Sequence, residues 1–183
     1  KPYTKEILRL VRRTRLHDFQ SGHTIPASVD GIGTKGYYHW KQRTFRNATL
    51  DALAMNLNDM LVMKMRVHYL QDHITIPQDD EKAILEIVGT LSEECVKRGI
   101  EITAGETSIH DNFPGLEISI SVQQGYPMPY DYLNNNFFPQ DCSLVGIRSS
   151  GLHSNGFTKV REIFGEEFRP EFVEPTLIYY DLL

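Results

Sequence analysis

Residues 48–65, ATLDALAMNLNDMLVMKM, run without glycine or proline and are rich in Ala, Leu and Met. That composition predicts a helix. The helix is apolar on most of its sides, so it belongs inside the fold, covered by other elements on several sides. Its polar exceptions are Asp51, Asn58 and Asp59. At about 100° per residue, Asp51 and Asn58 lie about 20° apart, and Asp59 about 80° from Asp51.

The elements that would cover it alternate between strand and helix signals. HTIPASVD reads as a strand running into a glycine turn. A second helix begins near Pro77, capped by Asp79 or Asp80, with Ala83, Ile84, Ile87, Val88, Leu91 and Cys95 on one stripe and Gly99 at its end. IEITA is a short strand, and LEISISVQQ alternates apolar and polar residues with the period of a half-buried strand. GYPMPYDYLNNNFFPQD, with its prolines and asparagines, reads as a linker. CSLVGIRSSG then predicts a strand, GFTKVREIFG a helix, and EPTLIYYDLL the start of another helix with Pro175 in its first turn. The pattern is α/β. The last 45 or so residues are too few for a core of their own and are expected to lean on the rest.

A net charge of -5 argues against a nucleic-acid binder, which usually carries a wide basic excess. The local basic cluster Arg9, Arg12, Arg13 and Arg15 is expected on a solvated helix face, with Ile7, Leu8 and Val11 turned inward. No apolar run approaches membrane-spanning length. Cys95 and Cys142 lack a second pair to complete a zinc site and read as buried free thiols in a reducing cytosol.

Four constellations carry possible chemistry. Asp30-Gly31-Ile32-Gly33-Thr34-Lys35 follows a strand and combines a hard carboxylate ligand, glycines that turn amides toward an anion, and a lysine. A plain Asp-Gly turn would look the same. The helical set Asp51, Asn58 and Asp59 would need a metal or a basic partner if buried. Gly105-Glu106-Thr107 puts a carboxylate beside a glycine after IEITA. Ser149-Ser150-Gly151-Leu152-His153-Ser154-Asn155-Gly156 gathers hydroxyls, an imidazole and an amide before a helix, whose N-terminus attracts phosphate. His68 and His73 around Asp72, and His110 beside Asp111, are weaker candidates for metal.

Taken in order, VDGIGTK, DALAMNLNDML, AGETS, SSGLHSNGFTKVREI and EPTLIY resemble successive segments of the aminoimidazole ribonucleotide synthetase family, the phosphoribosylformylglycinamidine cyclo-ligases. The resemblance runs from about Arg13 to the end. It implies a mixed-sheet amino-terminal domain that dimerises through its sheet into a barrel, followed by the start of a second α/β domain. The division would fall at 1–138 and 139–183, the second part being incomplete. The resemblance further implies a cytoplasmic homodimeric ligase of purine synthesis. It would use ATP and Mg²⁺ on a small ribonucleotide, with no nucleic-acid or membrane partner.

Carried over by position, Asp30, Asp59 and Glu106 would hold Mg²⁺. Gly31, Gly33, Thr34, Lys35, Asp51, Gly105 and Thr107 would join Asp30 and Glu106 around ATP. Ser149, Ser150, Gly151, Ser154, Asn155 and Gly156 would meet the substrate, with Asp59 and His153 as catalytic groups. Selenophosphate synthetase, thiamine-phosphate kinase and a hydrogenase-maturation protein share the acidic positions, so a related phosphotransferase is the alternative enzyme. A degenerate nucleotide-binding dimer module is the alternative without catalysis. The sequence departs from the family pattern at Lys64, Arg66 and Val67, where small residues and a proline are usual, and at Ala104 and Ile109.

Overall fold

The computed structural model describes residues 2–12, 23–129 and 141–182. Its centre is a mixed four-stranded sheet in the order β2-β5-β3-β4, formed by β2 (Ala27–Gly31), β5 (Glu117–Gln123), β3 (Tyr69–Ile76) and β4 (Glu101–Ile109). β3 and β4 are parallel, joined by helix α4 (Glu81–Arg98), and β5 runs antiparallel to β2 and β3. A parallel pair needs such a crossover. A two-stranded ribbon pairs β1 (His23–Thr24) with β6 (Met128–Pro129). HTIPASVD is therefore two strands, interrupted at Ile25–Pro26. Among the described residues no helix is long and apolar enough to cross a membrane.

The Ala/Leu/Met stretch forms α3 (Phe45–Val62), which lies over β2 and β5 and against α4. From Asp51 to Leu57 every residue is buried, which is two turns with no exposed side. One side meets Leu70, Ile74, Ile118 and Ile120 of the sheet in the main core. Lys64, in left-handed conformation at φ 56°, follows the helix. α4 is capped as its sequence suggests: Asp80 Oδ1 accepts the Ala83 amide at 3.0 Å, and Gly99 takes a left-handed φ of 65°. Val88, expected on its buried stripe, is 41% exposed.

An element without a clear sequence signal, α2 (Lys35–Gln42), follows the glycine turn. Gly36 lets it approach the sheet closely, because a Cβ there would stand 1.7 Å from the Leu116 carbonyl oxygen. Helix α1 (Thr4–Arg12) leaves Ile7, Leu8 and Val11 exposed, against the inward orientation expected for them; Arg13 and Arg15 lie outside the described residues. So do most of the linker (130–140) and the division at 138/139.

CSLVGIRSSG forms no strand. Its apolar side chains Leu144, Val145 and Ile147 are exposed, and no described strand pairs with it. Cys142 is exposed there, whereas Cys95 is buried with its thiol pushed up to about 11 by burial. α5 (Phe157–Phe164) follows as expected, with Phe157 and Phe172 packed on Tyr37 and Tyr38.

EPTLIYYDLL is not an α-helix. Residues 174–178 have no regular secondary structure and lie along a polar stripe of α3. Asn47 Nδ2 donates to Val173 O at 2.9 Å, Asp51 Oδ1 accepts the Thr176 amide at 2.8 Å, and Asn58 bonds Leu177 O and the Tyr179 amide at 2.9 and 2.7 Å. A short 3₁₀ turn, Tyr179–Leu182, then places the Tyr180 hydroxyl under the Val67 amide at 2.7 Å.

Asp51 is the hub of this arrangement. Its carboxylate accepts Lys35 Nζ at 2.8 and 3.0 Å, His39 Nε2 at 2.9 Å, and both the amide and the hydroxyl of Thr176 at 2.8 Å. Both side chains of the Lys35–Asp51 pair are completely buried. Burial alone would raise the Asp51 carboxyl. The His39, Lys35 and Thr176 donors outweigh it and hold the group below its ordinary range. Burial lowers His39 in turn. The neutral ring then donates from Nε2 to Asp51 and accepts the Thr44 hydroxyl at Nδ1, 2.8 Å away.

Asp51→Asn leaves a buried ammonium without its counter-charge, which costs about 3–5 kcal/mol. Urea unfolding at pH 7 should show a loss of that order. Because the carboxyl is depressed in the folded state, its contribution is present above the ordinary value of 3.8 and is lost as pH falls through the lowered one. The gap between variant and parent should therefore close in strong acid; a gap independent of pH would contradict the ion-pair account.

Candidate functional site

The chain leaves β2 at Gly31 and turns through Gly33, at φ 54°, into α2. Thr34, the residue before α2, makes no side-chain cap to that helix. Its hydroxyl instead meets the Thr158 hydroxyl in the first turn of α5, 3.0 Å away. The glycine turn and the segment following SSGLHSNG are far apart in sequence, and the fold joins them. Between them lies a cleft of about 230 Å³ whose lining includes Gly33, Thr34, Tyr37, Gly115, Glu117 and Arg161. Arg161 stacks over the Tyr37 ring at 4.0 Å, and Lys41 lies 4.4 Å from the same ring. The Tyr37 hydroxyl donates to Glu166 at 2.7 Å. The cleft is thus walled by a guanidinium, a hydroxyl and backbone, with an aromatic floor.

The serine-rich loop ends at Gly156, in left-handed conformation at φ 85°, with no side-chain cap on α5. Ser149 Oγ accepts the Gly151 amide at 3.1 Å and lies 3.2 Å from His153 Nε2. The Ser150 and Ser154 hydroxyls are buried with no hydrogen-bond partner. Buried polar groups are normally satisfied, so these two orphans fit a loop that awaits an acceptor or donor from outside the chain. Asn155 is exposed.

The expected acidic triad does not form within one chain. Asp30 and Asp59 lie on the helix side of the sheet at its β2 edge. Ser28 Oγ donates to Asp59 at 3.4 Å, and Asp30 stands in register with the buried Ile120. Glu106 stands in the neighbouring row, Gly31–Ser119–His73–Glu106, on the outermost strand of the other edge. Successive residues of a strand face opposite sides, so Glu106 points to the open face and Asp30 to the helical one. Three strand spacings add about 14 Å. No group of three or more His, Cys, Asp or Glu side chains suited to a metal occurs among the described residues. Asp30 Oδ1 accepts the next amide, Gly31 N, at 2.8 Å, and Glu106 accepts Thr107 N at 3.2 Å. Gly105 and Thr107 are interior to β4, not beyond its end, and Gly105 lies against Asp72. Lys35 and Asp51 are buried against each other, so neither faces the cleft.

Three residues in the cleft carry no signal in the sequence reading: Tyr37, Arg161 and Glu117. Glu117 opens β5 and sits beside the glycine turn; Ser119 Oγ donates to its Oε1 at 3.4 Å, and a Cβ on Gly31 would stand 2.1 Å from that atom. Burial pushes this carboxyl above the ordinary glutamate range, and the charge of Asp30 adds to the rise. The place of Glu117, directly beside a strand that ends in Asp-Gly, appears only once the register is known.

These features define a class: an α/β domain in which the glycine turn and the helix after the serine-rich loop face one cleft. The family model described as "AIR synthase related protein, N-terminal domain" matches residues 12–123, and the chain belongs to that family. Among curated proteins it is similar to the phosphoribosylformylglycinamidine cyclo-ligases of Thermococcus gammatolerans, at 30% identity over 85% of this chain and 50% of that one. A second is that of Saccharolobus solfataricus, at 27% over 85% and 49%. A solved structure, "T. maritima PurL complexed with ATP", overlays 60% of this chain and 17% of that one with a TM-score of 0.47 and 12% identity. The chain spans about half the length of the curated relatives it matches.

For Glu117 the sign is opposite to that for Asp51. A carboxyl raised in the folded state favours folding below its ordinary value of 4.5, and that contribution is lost as pH rises through the raised one. Glu117→Gln should therefore match the parent's urea midpoint near pH 4 and exceed it at pH 7. A variant less stable at both values would show that the ionised carboxylate, and not the neutral acid, holds the turn.

Proposed function

We propose that this chain is the nucleotide-binding half of an ATP-dependent phosphoribosylformylglycinamidine cyclo-ligase, acting in purine synthesis on formylglycinamidine ribonucleotide. The observation that carries this reading is the junction of the glycine turn with the serine-rich segment through Thr34 and Thr158. Transfer of a phosphoryl group onto an amide oxygen requires a phosphate donor and an acceptor held side by side, with developing charge neutralised. In this reading the glycine turn and Arg161 hold phosphate oxygens of ATP. The orphaned Ser150 and Ser154 hydroxyls, His153 and the open N-terminus of α5 hold the ribonucleotide. The amide oxygen takes the γ-phosphoryl group, the substrate's own amine attacks that carbon, phosphate leaves, and the imidazole ring closes.

One chain does not fit a magnesium site built from Asp30, Asp59 and Glu106, and no step here passes through that ion. Homodimerisation through the open face of the sheet belongs to the same proposal. It would cover the exposed polar row that includes His73 and Glu106. The division at 138/139 belongs to it too, with residues 170–182 anchoring the opening of a second domain on α3.

Phosphate release should require both ATP and formylglycinamidine ribonucleotide, and Arg161→Ala should reduce affinity for a non-hydrolysable ATP analogue about tenfold. ATP consumption driven instead by a different phosphoryl acceptor would assign the chain to the related phosphotransferases. Analogue binding with no turnover would leave it a binding module.

A further inference from the structure

At the end of the strands opposite the glycine turn lies a second hollow, of about 560 Å³. It is framed by the segment between α3 and β3, the C-terminal end of α4 and the Tyr179–Leu182 turn, and its lining includes Arg66, His68, Lys97, Arg98, Tyr180 and Asp181. Three cations thus face one carboxylate on a protein whose net charge is -5. Arg98 is fully engaged: its Nε and Nη2 bond Asp181 at 2.7 and 2.6 Å, and its Nη1 bonds Glu94. That pairing neutralises the one acidic group among the described lining residues. Glu94 likewise holds one of the three N–H donors of Lys97.

What remains is donor capacity. Arg66 is exposed, and no carboxylate pairs with it among the described ion pairs. His68 Nδ1 lies 3.1 Å from the Gly125 amide, which can only donate. The same nitrogen lies 3.1 Å from the Arg66 carbonyl oxygen, so His68 is held by backbone on that side and its ring forms part of the wall. Lys97 offers its other two N–H donors. The Tyr180 ring supplies an apolar wall, its hydroxyl already committed to Val67 N.

We propose that this hollow is a second anion site, which takes the phosphate group of a small phosphorylated metabolite. Arg66 and Lys97 would carry the charge recognition. The volume lies in the range of small-molecule pockets and exceeds that of a bare phosphate. The site stands at the far end of the sheet from the proposed catalytic cleft and does not depend on that assignment.

The test is titration of the whole chain with ribose 5-phosphate, read by backbone amide resonances. Saturable shifts are expected at residues 66–68 and 97–99, weakening as salt rises. Ribose alone should leave them unmoved. Arg66→Glu with Lys97→Glu should lower affinity about tenfold or more while the remaining spectrum stays that of the folded parent. If that pair disturbs the fold, Arg66→Gln with Lys97→Gln serves the same comparison. Absence of shifts at these amides, equal shifts with ribose, or variant affinity within about twofold of the parent would overturn the proposal.

Discussion

A buried carboxylate with four donors organises this molecule. Asp51 sits in the middle of a helix that no side leaves open, where an unpaired charge would be untenable. Its partners come from two places: Lys35 and His39 on α2, and Thr176 on the terminal segment. The requirement to satisfy Asp51 therefore fixes how α2 leaves the glycine turn. It also fixes where the chain returns after α5. Both walls of the cleft follow, because Tyr37 lies on α2 between these two anchors and Arg161 is held over it.

The elements with strong periodicity were legible in the sequence. α3, α4 with its Asp80 and Gly99 caps, and β5 follow from apolar pattern and capping chemistry alone. α2 was not, since KGYYHWKQ has no apolar stripe and is helical because its residues pack against Phe157, Phe172 and the Leu116 backbone. CSLVGIRSSG carries strand-forming residues, but a strand needs a neighbour, and no described strand pairs with it. EPTLIYYDLL reads as a helix start from Pro175. Its backbone groups are claimed instead by Asp51 and Asn58, and the carbonyl of the preceding Val173 by Asn47, before an intrahelical ladder can close.

The candidate site was half legible for the same reason. The sequence brings out the glycine turn and the serine-rich loop, because both concentrate residues whose local chemistry is distinctive. It does not reveal that Thr34 meets Thr158, which is a tertiary contact. It also invites a wrong grouping of charge. The polar stripe at Asp51 and Asn58 looks like a ligand set on a helical wheel. Both residues in fact read the backbone of a docked segment, and Lys35 is the counter-ion expected from elsewhere. A buried polar stripe implies a partner without specifying whether that partner is a ligand or the chain itself.

The strand register decides how negative charge can be handled in one chain. Asp30 and Glu106 face opposite sides of a sheet four strands wide, so no side-chain rotation brings them to a common ion. Glu117 then takes on a different significance. It sits beside the glycine turn with a carboxyl that burial raises above its ordinary range. An anion arriving at the front of that turn meets the Arg161 guanidinium beside it, with the Glu117 carboxyl lining the same cleft. Burial makes the charge of Glu117 costly at this place, and the stacking of Arg161 on Tyr37 orients positive charge beside it, so the guanidinium sets the electrostatic preference of the cleft.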